Sequence, residues 1–547
     1  MKRLSLPLIL ALGCLFSGCG GSSPAPPVTP PPSVLTPTTT MSVTPATVTA
    51  GQHATLTWSS TNTTACSGSG SWSGSQQTSG SLSVTELTSG IYTYNLSCSG
   101  AGGAANASAN LTVNAPTALI PIPARTAAST CSQNCYYVNA NSGSDSNDGL
   151  TPATAFQTLQ KAANKVVPGS IVTVMSGTYT SATSWSVMEL TTTGTAQAWI
   201  QFVAGAGQHP VIQLQYADSA GKGIHLNGVA YVVIDGFEVI GQDQAITQGV
   251  PGATSSGLLN EECISIDGTT SPTVPHDIIV RNSSIHDCSG SGISAKSTDA
   301  VTVAYNRIYN NSWWTVFGES GLNFWHQTDV PGSTTTNGYK NFIVGNLIYN
   351  NHNTVPWIAG NPPAIYDGNG IIIDDNQHTQ DTGGPNYTKG VPYTGRTYIA
   401  NNIVYGNGGR GIHVYASAHT DIVNNTAYNN MLTDSPYITV GDIDGQSSYD
   451  ITIVDNIAVN LNGKVADRND GNIYGFNVWS GSGVPFLGTN DINGDPQLTN
   501  PASGDFSPKP GSAALASGTD ALAPSLDYSG RSRALGKIDR GAVQVTN

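Results

Sequence analysis

Six segments in the second half of the chain repeat one phrase, Asn-x-Ile-x-x-Asn or a close variant. They are Val280-Arg-Asn-Ser-Ser-Ile285, Ala304-Tyr-Asn-Arg-Ile308, Val344-Gly-Asn-Leu-Ile348, Ala400-Asn-Asn-Ile-Val404, Val423-Asn-Asn-Thr-Ala427 and Val454-Asp-Asn-Ile-Ala458. The aligned asparagines are Asn282, Asn306, Asn346, Asn402, Asn425 and Asn456. Two of the steps, Asn282 to Asn306 and Asn402 to Asn425, are 24 and 23 residues, the length of one turn of a β-solenoid. The longer steps leave room for loops. A turn of this kind cannot bury its apolar side alone, so turns stack and share a core. The asparagines read as a structural ladder that satisfies backbone groups buried between stacked turns.

With 547 residues the chain can hold several domains, or one long solenoid with additions. Only 10% of residues are charged and the net charge is −14. That balance argues against nucleic acid as a partner, because phosphate binding needs clustered Lys and Arg. An anionic polymer would need a local basic patch or a bound cation. Lys2 and Arg3 followed by the apolar run Leu4 to Phe16 read as an export signal too short to span a bilayer. Leu15-Phe-Ser-Gly-Cys19 resembles the lipobox of bacterial lipoproteins, which implies a signal over 1–19, lipid on Cys19 and an outer-membrane or cell-surface location. An ordinary secretory signal is the other reading. Six cysteines remain beyond Cys14 and Cys19, an even number that suggests disulfides in an exported chain. Their spacing suggests Cys66–Cys98, Cys131–Cys135 and, joining adjacent turns, Cys263–Cys288.

Residues 20–40 are a Pro/Thr-rich linker. Residues 41–115 alternate apolar and polar in short runs around Trp58, Cys66 and Cys98 and look like a small immunoglobulin-like β-sandwich. A second linker spans 116–130. Then come Tyr136-Tyr-Val-Asn-Ala-Asn-Ser-Gly-Ser-Asp-Ser-Asn-Asp-Gly149 and a stretch whose Phe156, Leu159, Ala163 and Val166 share one helical face, with Thr154 as its cap. A short helix there would cover the open end of a solenoid core. This stretch resembles the opening segment of right-handed parallel β-helix proteins, of which pectate lyases and other exported polysaccharide lyases are the best known. Asp495-Pro496, Pro508-x-Pro-Gly-Ser512, Asp527-Tyr-x-Gly-Arg531 and Asp539-x-Gly541 resemble the closing segment of such proteins. The resemblance implies an all-β chain, with a right-handed parallel β-helix over 131–547 that closes over 495–547. It specifies fold and export better than chemistry, because one fold hosts many activities.

Cys263, Gly292, Gly321, Gly370 and Gly411 take equivalent places, each leading a strand. Stacked turns would then set Asp267, Lys296, Trp325, Asp374 and Tyr415 on one ridge at roughly 4.8 Å intervals, with His326, Asp375 and Asn376 beside it and His413 on the same side. β-Elimination from a uronate needs a base and a positive charge to meet the enolate. Lys296, His413 and Arg410 are the candidate catalytic residues. Asp267, Asp374, Asp375 and Asn376 are candidates for Ca²⁺. Trp313, Trp314, Trp325, His326, Trp357 and Tyr415 are candidates for sugar contact. Each has a plain structural reading too. Lys296 with Asp267 is then a surface ion pair, Asp374-Asp375-Asn376 a turn, His413 a hydrogen-bonded strand residue, and the tryptophans anchors for loops. Pectate lyases with this opening segment carry a Gly-x-Gly-Phe-Lys-like strand and an Asp-Asp-Gly-x-Asp-like strand. Here Lys296 stands two positions later in Gly290-Ser-Gly-Ile-Ser-Ala-Lys296, and no Asp-Asp-Gly-x-Asp occurs.

The expectation is a monomeric, exported protein that processes an extracellular polysaccharide and meets a membrane only through a lipid anchor. The reaction placed first is β-elimination of a uronate-containing glycan. The alternatives are a glycoside hydrolase using Glu319, Asp374 or Asp375, and a non-catalytic carbohydrate-binding adhesin. The groove is expected where the loops of 313–340 and 352–396 leave the turns.

Overall fold

In a computed structural model of the chain the described residues are 34–125, 134–181, 184–215, 221–242, 260–333, 338–380, 385–386, 388–438, 441–461, 472–481 and 487–545. The signal segment, Cys19 and Cys131, and with Cys131 the expected Cys131–Cys135 pair, lie outside them. Among the described residues no helix is long and apolar enough to cross a membrane.

The described residues form two compact units. The first takes in residues 34–42, 57–80 and 93–109. In it the strand Ala65–Gly70 runs antiparallel to residues 94–99, which sets Cys66 opposite Cys98, and the two form a disulfide. Trp58, Trp72 and Tyr94 pack edge to face beside them, at ring distances of 5.1 and 6.4 Å. Trp72 is buried and its indole N–H donates to the Asn95 carbonyl, so it is a packing residue.

The second unit is the β-helix. Parallel strands stack into three long sheets of 11, 11 and 8 strands. One coil shows the plan. Asp299–Ala304 lies in the first sheet, Arg307–Tyr309 in the second and Leu322–Trp325 in the third, and the next coil repeats the order at Tyr339–Val344, Leu347–Tyr349 and Ile371–Asp374. The crossovers take the right-handed sense that parallel strands favour. Apolar residues repeat at the inward places, as in the column Ile285, Ile308, Ile348, Val404, Ala427 and Ala458, and all belong to one buried core.

Corners explain the repeated phrase. The residue leaving the first sheet is left-handed in coil after coil: Asn282, Tyr305, Gly345, Asn401, Asn424 and Asp455 have φ between 52° and 66°. Asparagine and glycine tolerate that region best. The next residue forms the ladder. Asn306, Asn346, Asn402, Asn425 and Asn456 each accept a backbone N–H from the coil before at 2.8–3.0 Å. Their side-chain amides donate to carbonyls on neighbouring strands. A second ladder, Asn311, Asn351, Asn407 and Asn430, lines the following corner and ends on the carboxylate of Asp442. The first coil departs from the alignment by one residue: Ser283 holds the ladder place, and Asn282 is the left-handed corner.

One end and one wall are covered. A single helical turn and a half, Leu159–Ala163, caps the N-terminal end, with Phe156, Leu159, Ala162, Ala163 and Val166 joined to the main core. Its cap is Thr158, whose hydroxyl accepts the Lys161 N–H, while Thr154 closes a separate 3₁₀ turn at Pro152–Thr154. The closing segment instead lies along a wall: Leu498, Phe506, Ala514 and Ala542 cover the outward residues Ile403, Ile457 and Val478 of the second sheet. Cys263 and Cys288 lie on successive coils and form a disulfide.

Candidate active site

The third sheet carries the polar chemistry on its outer face. Its register sets Asn227, Asp267, Lys296, Trp325, Asp374, Tyr415 and Gln446 on one row. A parallel row runs Glu189, His225, Ser265, Ser294, Asn323, Ile372, His413 and Asp444. The charged residues gather at two places along these rows.

At the first place Glu262 is fully buried and bridges two lysines. Lys222 Nζ donates to one carboxylate oxygen and Lys296 Nζ to the other. Burial works against charge on Glu262 and Lys296, but the lysines hold the Glu262 carboxyl far below the usual range, and Glu262 with Glu319 holds the Lys296 ammonium above its own. Lys296 is therefore a fixed cation, which speaks against the proton-acceptor role expected for it. Asp267 caps its own turn through Thr269 and adds to the negative charge around Lys296.

The second place lies two coils on. Burial, with Asp367 and Asp375 nearby, drives the Asp374 carboxyl well above the ordinary carboxylate range. Burial raises Asp367 to about 6, although Arg410 opposes the shift. Tyr415, next in the row, is raised by burial and by the same acids. His413 is buried and donates or accepts through Nδ1 with Asp444, and burial with the nearby Arg410 keeps the imidazole neutral. Its Nε2 has no hydrogen-bond partner among the described residues. Arg410 Nε stands 3.6 Å from Asp444, and its other nitrogens donate to the carbonyls of Tyr366 and Tyr437. Around this place Tyr366 and Tyr437 lie 4.4 Å apart, Trp357 meets Tyr366 edge to face at 5.7 Å, and Phe317 and Ile358 stand exposed. The result is a rim of rings over an acidic floor.

Several expected site residues do other work. His326 is a left-handed corner residue, fully buried, with Nε2 2.9 Å from Asp375 and Trp325 stacked on its ring. It does not face a groove. Asp375 is spent on that pair and on Thr379 and Gln380. Asn376 is a ladder residue of the third corner, between Gln327 and Ser417. Asp267 and Asp374 stand three coils apart, about 14 Å at the usual strand spacing. The four residues expected to hold Ca²⁺ thus do not converge, and among the described residues no three His, Cys, Asp or Glu side chains form a metal-holding group. Glu319 is buried and held by Ser291 and Asn260. Trp313 anchors its loop by donating to Asn350 and packing on His352. Trp314 is half-buried beside it.

Sequence reasoning missed Asp367, Asp442, Asp444, Tyr366 and Tyr437. The glycine-led alignment stopped at Gly411 because the next coil places Asp442 there instead. With the register extended one coil, Asp444 falls beside His413. Asp367 lies on a loop outside any register.

No family model and no curated protein matches the chain. Among solved structures, pectate lyase Pel9A is similar with a TM-score of 0.46 and 16% identity, over 75% of this chain and 96% of that one. A rhamnogalacturonan lyase gives 0.37 and 17%, over 63% and 87%. The mannuronan C-5 epimerase AlgE4 A-module of Azotobacter vinelandii gives 0.33 and 15%, over 65% and 100%. Likeness at this level decides neither activity nor substrate.

Proposed function

We propose that the outer face of the third sheet binds a polysaccharide and cleaves it by general acid–base chemistry, with Asp374 as the proton donor. The observation that carries this reading is a pair of buried carboxyls near aromatic rings: Asp374, which burial and neighbouring acids push well up, and Asp367, raised to about 6 with Arg410 opposing the shift. Two carboxyl groups whose surroundings push their proton affinities apart divide into acid and base. Rings of this kind stack on sugar faces. The two disulfides fit an oxidising, extracellular setting.

The charge balance favours hydrolysis of a chain that is uncharged at this subsite. Asp374 protonates the leaving glycosidic oxygen and Asp367 takes a proton from water. One observation supports β-elimination instead: the neutral His413, oriented by Asp444, has a free Nε2 suited to abstracting a proton α to a uronate carboxylate. Elimination then needs a cation to meet that carboxylate. Lys296 is engaged by Glu262 and Arg410 by Asp444 and two carbonyls, and the residues expected to hold Ca²⁺ do not converge, which weighs against elimination.

The test is an assay on neutral and uronate polysaccharides, with EDTA or with Ca²⁺, reading reducing ends and ultraviolet absorbance of unsaturated products. Reducing ends without absorbance, unchanged by EDTA, are expected. Ca²⁺-dependent absorbance makes elimination the reaction. Asp374→Asn should lower turnover about 100-fold or more with polymer binding retained, the usual scale for a lost general acid. Full turnover in that variant removes the assignment.

A further inference from the structure

A different wall of the β-helix carries a basic groove. The second sheet has two outward rows. One runs Glu238, Ser284, Arg307, Leu347 and Ile403, the other Ile240, His286, Tyr309, Tyr349 and Tyr405. The closing segment covers the later apolar positions and stops short of the earlier polar ones. At that margin lies a groove of about 620 Å³ lined by Arg125, Arg307, Tyr305, Asn282, Tyr528 and Ser529 among others.

Both guanidinium groups are braced and only partly used. Arg125 lies over the Tyr305 ring, 4.2 Å from its centre, and donates one nitrogen to the Tyr528 carbonyl. Arg307 lies over the Tyr309 ring at 4.7 Å and donates from Nε and Nη2 to the Tyr349 hydroxyl, which leaves Nη1 without a hydrogen-bond partner among the described residues. The stack His286, Tyr309, Tyr349 at 4.5 and 4.9 Å holds that side of the groove rigid. Both arginines act on Tyr528, so they flank one space. No carboxylate lines the groove among the described residues. The nearest acids are answered elsewhere: Asp235 by Arg281, and Asp287 and Glu238 by His286. In a chain of net charge −14 this is a local excess of positive charge.

We infer that this groove is a second polysaccharide site, which takes an anionic group of an acidic glycan, carboxylate or sulfate, on the two arginines. Guanidinium groups recognise both anions by paired N–H donors. The groove lies on a different sheet from the acidic cleavage face, so it holds the chain without reacting with it.

The test measures binding of polygalacturonate, dextran sulfate and neutral dextran to the full chain carrying Asp374→Asn, by affinity electrophoresis at low and high salt. Expected is retardation by polygalacturonate or dextran sulfate, weakened by salt, and none by dextran. Which anionic polymer is retained tells carboxylate from sulfate. Arg125→Gln with Arg307→Gln should weaken binding about tenfold or more, as loss of two charge-assisted contacts would. Ser529→Asp, at an exposed position, should do the same by adding a carboxylate to the groove without disturbing packing. Unchanged affinity in both variants, or equal retention by dextran, overturns the inference. Either result leaves the cleavage assay at the third sheet untouched.

Discussion

At the residue scale, buried carboxyl groups on one wall are pushed in opposite directions. Glu262 is buried but clasped by two ammonium groups, and it is ionised. Asp374 and Asp442 are buried with no cation among the causes of their shifts, and burial pushes both upward, Asp442 to about 7. Burial penalises the charged form, and only a neighbouring opposite charge reverses the outcome. Two expectations follow. Activity that needs Asp367 ionised and Asp374 protonated should rise through about pH 6 and fall again at higher pH, a bell read from kcat/KM against pH. Asp442 bears on stability. Its folded value, about 7, lies above the unfolded value of 3.8, so its contribution is whole below pH 3.8 and is lost as pH rises towards 7. Asp442→Asn keeps the acceptor used by Asn430 and Gly411 and removes the titration. The difference in Tm between variant and wild type should therefore grow in favour of the variant from pH 4 to pH 7. A difference flat across that range removes Asp442 as the cause.

At the element scale, the corners carry the fold's specificity. Each buried ladder asparagine serves two coils at once, accepting from one backbone and donating to another. Asn402→Ala leaves the Asn346 N–H without its acceptor and should cost about 1–3 kcal/mol, read from urea unfolding. Asn401→Ala, one residue earlier, tests something else: the left-handed corner at φ 56° and the bond to the Leu526 carbonyl. The ladder was legible because its spacing repeats. The one-residue slip at Asn282 came from a Ser standing in for Asn at this rung, where the hydroxyl of Ser283 accepts the Phe237 N–H of the coil before, as the asparagine oxygens do, and donates to the Arg281 carbonyl. The capping helix was legible as a hydrophobic face, but its start was placed four residues early because Thr154 and Thr158 both satisfy the capping pattern.

At the scale of the whole molecule, the strands of each coil pair only with those of the coils on either side, so backbone stability is passed along the stack. Ile348 sits mid-stack and fully buried in the inward column. Ile348→Ala should cost about 2–5 kcal/mol. It should also separate the unfolding of the coils on either side, seen as non-coincident transitions by tryptophan fluorescence and far-ultraviolet circular dichroism. Coincident transitions would show that the stack unfolds as one unit.

The sequence by itself determined the stacked coils and the register of the third sheet, because these follow from a period, and a period is a one-dimensional property; that Cys263 and Cys288 approach closely enough to pair was decided only in three dimensions. Only the tertiary structure decided which ridge residues do chemistry. Lys296 became a locked cation, His326 a buried corner and Asp374 a carboxyl pushed well up through partners that no spacing records: Glu262 from the coil before, Asp375 across a turn, Asp367 from a loop. Charge state depends on what surrounds a group in space, and loops bring that surrounding from outside the repeat.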